Sequence, residues 1–587
     1  MRGKALRVLC FFLSAIMLFG LLIGCAGSKE TETKKTVATE GSIKEAELYK
    51  ERIKIHYHTG WTGQFDCTRE KSKDHPGTAN DAIFQFLEEK FNMEIYFHEN
   101  MTADTLILEV ASGDAGDIYT IPSWSPTHLD LFNRMKKDDL LLDIGGIVFK
   151  NPGRYPVLNM ILGHPVVKVL NEFMSGDAEA FNSVPSLDVT KGGRTGSPVY
   201  NMVPFKGTDQ KVPETLDEFI EILRAYKAKG MVPYSFDIRN GTEFGGIDNV
   251  FFTAYGSNMQ GYYQDEQGNW YDAAISEKNK AIWKLVGNLY KEGLIKRDII
   301  TQDTYGHMAE WVDGNIGCIE FHCPNAHPGQ YTWGVNQFLE KNKDATYEDI
   351  PMSKRPLRGP EGQLAKVVGN TVTVGNVRTV VSADTKDPER MLDFLEFILS
   401  DKGQDLIWWG VENVHYNVDA SGNKKLIGEE YQKLMWHIYE SEKDRTSWNY
   451  LWAITNANML YVQYQRDGGW FEGAAKSVDL NYRLRPVEGA VKYAWDIIET
   501  FIQEGFESRP EFYNFVNFID DTDKLIQTKL TDIKNRYFLS FLIAEKDPDK
   551  EWDNFVKEYT DAGGLALLNK HIKLYDEVKA KYDAAKK

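Results

Sequence analysis

Asp81-Ala82-Ile83-Phe84-Gln85-Phe86-Leu87-Glu88-Glu89-Lys90-Phe91-Asn92-Met93-Glu94-Ile95-Tyr96-Phe97 changes its period in the middle. Up to Lys90 the apolar residues Ile83, Phe84 and Leu87, with Phe91 beyond, fall at spacings of one to four, which gathers them on one helical face. From Asn92 to Phe97 a strand restarts. Upstream, Arg52-Ile53-Lys54-Ile55-His56-Tyr57 alternates along a strand and runs into the turn-prone Thr59-Gly60-Trp61-Thr62-Gly63. The order is strand, helix, strand.

The pattern then recurs. Thr105 to Ala111 has a helical face of Leu106, Ile107 and Val110, and Ser112-Gly113-Asp114-Ala115-Gly116-Asp117 turns into the strand Ile118-Tyr119-Thr120-Ile121. Such alternation predicts a parallel sheet covered by helices. Further on, Thr215 with Glu218 forms a capping box that opens a helix through Phe219, Ile220, Leu223 and Tyr226, and Val232 to Phe236 follows as a short strand. Asp387-Pro388 starts a helix with Met391, Leu392, Leu395 and Ile398 on its apolar face. The C-terminal third is rich in helical signals, as at Tyr493 to Ile502 and Leu565 to Ala584, and no short internal repeat is found. Gly176 to Gly196, polar and glycine-rich, reads as a surface loop.

Composition narrows the function. A chain that is 42% apolar and 13% aromatic is a packed globular protein, long enough for two lobes with real cores. The net charge of -18, which becomes -21 once the three leader cations are removed, argues against nucleic acid or an anionic lipid surface as the main partner and favours a neutral or cationic ligand. Besides Cys25, Cys67, Cys318 and Cys323 form neither a disulfide framework nor a zinc pattern, leaving buried free thiols or a Cys318 to Cys323 bridge. His56 and His58 share one side of a strand and invite a metal reading, but no third ligand stands at a diagnostic spacing, so no metal or cofactor is expected. The absence of a phosphate-loop motif and of a nucleophile elbow gives no signal for ATP hydrolysis or acyl transfer.

The N-terminus supplies an address. Arg2, Lys4 and Arg7 precede the mostly apolar run Val8 to Ile23, the layout of a secretory signal and too short for a permanent membrane span. Leu22-Ile23-Gly24-Cys25 resembles the bacterial lipobox, in which the cysteine thiol receives a diacylglycerol and the leader is cut just before it. Ala26 to Ser42 is polar and reads as a flexible tether. The expectation is a protein held by lipid on the outer face of the cell membrane.

An ordered set of segments then brings a family into view. Val110-Ala111-Ser112-Gly113-Asp114 with Asp117-Ile118, Leu140-Leu141-Leu142-Asp143-Ile144, and Pro213 to Phe219 come first. Leu289 to Ile295, Gly314-Asn315-Ile316-Gly317-Cys318 and Trp409-Gly410-Val411-Glu412-Asn413-Val414-His415-Tyr416 come after them. With the lipobox, the set resembles the extracellular solute-binding lipoproteins of carbohydrate ABC importers, family 1 type, in the large LplA/LipO-like Gram-positive subgroup. One departure is Gly116, where such proteins usually carry a proline close before the second acid.

The resemblance implies an α/β, two-lobed, type II periplasmic-binding-protein-like fold, with parallel-rich sheets flanked by helices and a helix-rich C-terminal part. Residues 1–24 are the signal peptide and 25–50 the lipidated cysteine and tether. Lobe 1 takes 51–199 plus 375–400, lobe 2 takes 200–374 with crossings near 200–205 and 350–374, and 401–587 mainly completes lobe 2. Ligand binds in the cleft, and the permease reads closure. The implied protein is a monomer and not an enzyme, with a carbohydrate and the permease subunits as partners and no nucleic acid.

A sugar cleft needs aromatic platforms for CH faces and polar groups around the rim. Trp61 follows the first strand, Trp124 follows Ile118 to Ile121, and Asp237 and Arg239 follow Tyr234 to Phe236, all at carboxyl ends of strands. After Gly314 to Ile319 come Glu320, Phe321, His322 and Asn325, and His322 and Asn325 join the candidate set, as does Trp409, the adjacent Trp408 making it one of the two. Each tryptophan has an alternative role in packing, Asp237 and Arg239 an alternative as a mutual pair, and Trp448, Tyr450, Trp452 and Trp470 read as a satellite cluster. Two rival functions stand: a surface glycan-degrading enzyme, which needs a pair of carboxylates among the 86 acids, and a same-fold receptor for peptides or other solutes.

Overall fold

The computed structural model describes residues 49–59, 79–98, 108–109, 116–122, 126–175, 181–188, 195–236, 238, 245–265, 267–301, 306–323, 329–353, 357–360, 362, 373–400, 402–403, 406, 410–422, 424–427 and 521–585. Two compact units divide the chain, Met1–Lys50 and Glu51–Lys587, and every described strand and helix belongs to the second.

Its first sheet has the order β2-β1-β3-β10-β4. β1 (Ile53–Thr59) runs parallel to β2 (Met93–His98), joined through helix α1 (Ala79–Lys90), and parallel to β3 (Ile118–Pro122). The alternation around Asp81 to Phe97 therefore does what its period implies. Ile55, Tyr57, Ile83, Leu87, Met93 and Ile95 are all buried. The sheet is not purely parallel, because β10 (Thr373–Val381) inserts antiparallel between β3 and β4 (Val184–Asp188). β10 returns from the second sheet and enters at the edge where β3 ends, so it can only run backwards.

The second sheet has the order β5-β9-β6. β5 (Thr195–Tyr200) lies antiparallel to β9 (Ile316–Cys323), and β6 (Val232–Ser235) lies parallel to it. The stretch Gly176 to Gly196, expected as a loop, thus holds β4 and the start of β5. Its polar composition hid them, because backbone pairing to β10 and β9 supplies what side-chain pattern does not. The chain leaves the first sheet after Asp188 and joins the second at Thr195.

Alternate residues of β9 face two separate cores. Cys318, with Tyr200 and Tyr234, faces a large aromatic core shared with α2 (Leu216–Ala228), α3 (Glu277–Glu292), α4 (Asp521–Leu542) and α5 (Pro548–Asp561), including Phe219, Trp283, Phe538 and Trp552. Ile319 and Val199 face the opposite side with Trp311, Val335 and Phe338. Thr215 caps α2 and Glu218 closes the box as the sequence predicts. The final helices pack on this core and on the hairpin of β7 (Tyr262–Gln264) and β8 (Trp270–Asp272): Trp283 of α3 stacks on Phe538 with ring centroids 4.7 Å apart, and the Tyr559 hydroxyl donates to buried Asp272 at 2.6 Å. The last helix, α6 (Gly564–Ala585), packs His571 and Tyr575 against Trp270, and Lys581 reaches Glu172 at 2.9 Å.

Cys318 is a buried free thiol, so the bridge to Cys323 is excluded. The two sit five residues apart on one extended strand, about 16 Å at the usual rise and on opposite faces, far beyond disulfide reach. Among the described residues no helix is long and apolar enough to cross a membrane.

Candidate functional site

The four parallel strands of the first sheet all end at one edge, at Thr59, His98, Pro122 and Asp188, and β10 enters there near Thr373. In the second sheet β6 and β9 end at Ser235 and Cys323, and β5 enters at Thr195. Open α/β sheets receive ligands outside such carboxyl ends, where loops leave the strands. Trp61 stands two residues after β1, Trp124 two after β3, Asp237 two after β6, and Asn325 two after β9. Those four, with Arg239, Trp409 and Cys25, lie outside the described residues. His322 belongs to β9, opposite Gly196 in β5, and its side chain also lies outside the described set.

Glu320, Ser235 and Arg378 are buried polar groups near these edges. Glu320 in β9 is only 8% exposed. It is packed by Gly246, where a Cβ would come within 2.3 Å of the Phe236 side chain and 3.1 Å of Glu320 Oε2, so only glycine lets the helical turn Gly245–Ile247 lie so close to the sheet. The Tyr234 hydroxyl donates to the Gly246 carbonyl at 2.9 Å and fixes the same approach. Burial, reinforced by the Glu320 charge, pushes both the Tyr234 hydroxyl and the Cys318 thiol well up. Cys318 is therefore a protonated core side chain and no nucleophile.

Ser235 ends β6 fully buried, and its Oγ finds no hydrogen-bond partner among the described residues. In the first sheet Arg378 lies between Ile121 and Pro185 on the neighbouring strands, 4% exposed, with its guanidinium 5.0 Å from the Phe132 ring centre. Burial pulls its pKa down to about 10. Arg378 was absent from the sequence candidates. A lone cation inside the β-branched run Thr373-Val374-Gly375-Asn376-Val377-Arg378-Thr379-Val380-Val381 was the signal that could have found it.

Glu320 and Ser235 belong to the second sheet and Arg378 to the first, and a carboxylate, a guanidinium and a hydroxyl are groups of the kind that hydrogen-bond hydroxyl-rich ligands. Among the described residues no group of three or more His, Cys, Asp or Glu side chains is placed to hold a metal ion.

No protein-family model matches the chain, and no curated protein matches it in sequence. Solved structures do match. The alginate-binding protein AlgQ2, solved without calcium ion, superposes with a TM-score of 0.58 at 15% identity, over 90% of this chain and 99% of that one. The chain has the fold of a solute-binding protein. The S. pneumoniae ABC-transporter substrate-binding protein FusA, an EF-hand mutant in complex with fructo-nystose, gives 0.56 at 18% identity over 90% and 99%. An extracellular solute-binding protein from Bifidobacterium longum subsp. infantis gives 0.58 at 14% over 91% and 98%. The α/β, type II periplasmic-binding-protein-like architecture expected from the sequence is thus the one observed, along nearly the whole length of each solute-binding neighbour. Each of these neighbours is described as a binding protein.

Proposed function

We propose that this protein captures an oligosaccharide or sugar derivative outside the cell and delivers it to the permease of an ABC importer. The observation that carries the reading is the shared fold over nine-tenths of the chain with proteins described as binding alginate or a fructo-oligosaccharide. The buried polar groups near the strand ends supply chemistry suited to hydroxyl-rich ligands.

Calorimetry of the mature chain against fructo-oligosaccharides, N-glycans and alginate oligomers tests the reading, with chromatography of each glycan afterwards. One glycan class should bind at about micromolar strength, roughly 8 kcal/mol, and emerge uncut. Cleavage would make the protein an enzyme, and binding of peptides alone would make it a receptor of the other kind. Within this reading Glu320 accepts a ligand hydroxyl, so Glu320→Gln should weaken the bound glycan about tenfold, in keeping with a hydrogen bond to a charged acceptor.

The lipid anchor at Cys25 belongs to the same proposal. Tethering through Ala26 to Ser42 keeps the binding unit within a linker's reach of the permease and raises its effective concentration there. Cys25→Ala should release the protein from cells into the medium, leave glycan affinity unchanged and impair uptake. Full uptake by cells carrying the variant would contradict the importer role.

A further inference from the structure

β1 carries two histidines on one side of the strand, and the structure gives them different roles. His56 is exposed and stacks on Tyr96, with ring centroids 5.4 Å apart and planes 20° apart. His58, one pleat nearer the carboxyl end, is 3% exposed and stacks on Tyr119 of β3 at 5.2 Å. Its Nδ1 lies 3.2 Å from Oε2 of Glu109, whose side chain is 32% exposed. That approach is an ion-pair distance without hydrogen-bond alignment, so its strength depends on charge.

The ring fills a notch left by Gly116. A Cβ at 116 would stand 2.1 Å from His58 Cδ2, 2.4 Å from Nε2 and 2.9 Å from the His56 carbonyl oxygen. Glycine at this position is what admits the imidazole. The neighbouring Asp117 is already engaged, accepting from the His56 backbone N–H at 2.9 Å and from the Thr385 hydroxyl at 2.6 Å. The described charged groups facing the His58 and Tyr119 stack are thus Glu109 before β3, Asp117 at its start and Asp384 after β10, all carboxylates, with His56 beside it on β1.

We propose that His58 is a proton-controlled positioning residue of the candidate site. Protonated, it draws Glu109 onto the carboxyl end of β1 and fixes the start of β3 beside it. Neutral, it keeps the stacking on Tyr119 and its fit against Gly116 but loses the charge attraction to Glu109. Imidazole is the side chain whose charge ordinarily changes between about pH 5 and 8, so this edge tightens as pH falls through that range. Trp61 and Trp124 leave from the ends of these same two strands, so ligand affinity should rise with the tightening. That last step rests on the proposed glycan-binding function, while the proton-dependent tightening does not.

Hydrogen exchange of the mature full-length chain tests it without any ligand. Peptides covering 53–59 and 116–122 are followed at about pH 5.5 and about pH 7.5, corrected for intrinsic exchange, in the wild type, His58→Gln and Glu109→Gln. The wild type should exchange about fivefold more slowly at the lower pH, and both variants should show no such difference. Equal protection at the two pH values in the wild type, or a pH difference that persists in the Glu109→Gln chain, would overturn the proposal. Glu109→Gln alters a partly exposed side chain and keeps the test decisive if His58→Gln fails to fold. A chain that shows the fivefold effect yet binds none of the glycans would retain the latch and lose the proposed function.

Discussion

Arg390→Met is expected to lower stability by about 3 kcal/mol, read as a fall in the urea midpoint with the slope unchanged. Arg390 is 4% exposed on the helix Pro388–Leu399, and its guanidinium ties together three parts of the chain. Nη1 donates to the carbonyls of Glu51 at 2.9 Å and Asn92 at 3.0 Å, while Nε donates to Asp387 at 2.8 Å. Asn92 stands at the left-handed turn between α1 and β2, with φ of 46°. Methionine fills the volume but leaves the carbonyls of Glu51, Phe91 and Asn92 and the Asp387 carboxylate without this donor, and that lost polar pairing sets the size of the effect. Hydrogen exchange should localise the loss to β1 and β2. A variant as stable as the wild type would show that solvent replaces the guanidinium at no cost.

Gly317→Ala should be nearly as damaging. A Cβ at 317 would stand 2.2 Å from Cγ of Tyr226, and that ring is fully buried with its hydroxyl donating to the Asn201 carbonyl at 2.9 Å. Neither β9 nor the α2 side chain can yield without breaking that bond, so the overpacking should cost about 2 to 3 kcal/mol. Tyr226→Leu in the Gly317→Ala background should recover part of the loss, giving a coupling between two residues in contact. Strict additivity of the two changes would mean that they do not share a clash.

Both positions show how far the sequence could be read. Thr215 with Glu218 and Asp387 with Pro388 announced their helices because capping is local chemistry, settled within four residues. The strand, helix, strand order around Asp81 to Phe97 was legible for the same reason. The antiparallel insertion of β10, and the strands β4 and β5 inside a polar stretch, depend on pairing between segments more than a hundred residues apart. No window of sequence contains that information. Glycine at 317 could be seen in the Gly314 to Cys318 segment, but not the tyrosine ring it makes room for. Glycine at 116 could be seen in the sequence, but not the His58 ring that it admits.

The candidate site divides along the same line. Residues that come just after strand ends, such as Trp61, Trp124, Asp237 and Asn325, could be nominated because alternation marks where strands stop. The buried charge of Arg378 and the close approach of Gly246 to Glu320 arise from tertiary packing, and only the folded chain displays them.

The most direct measurement is a crystal structure of the mature chain with the glycan that calorimetry selects. The glycan should lie across the carboxyl ends of β1, β3, β6 and β9, uncut, with a hydroxyl on Glu320 and an aromatic ring beneath a sugar face. A glycan bound away from both strand edges, or one found cleaved, would contradict the account.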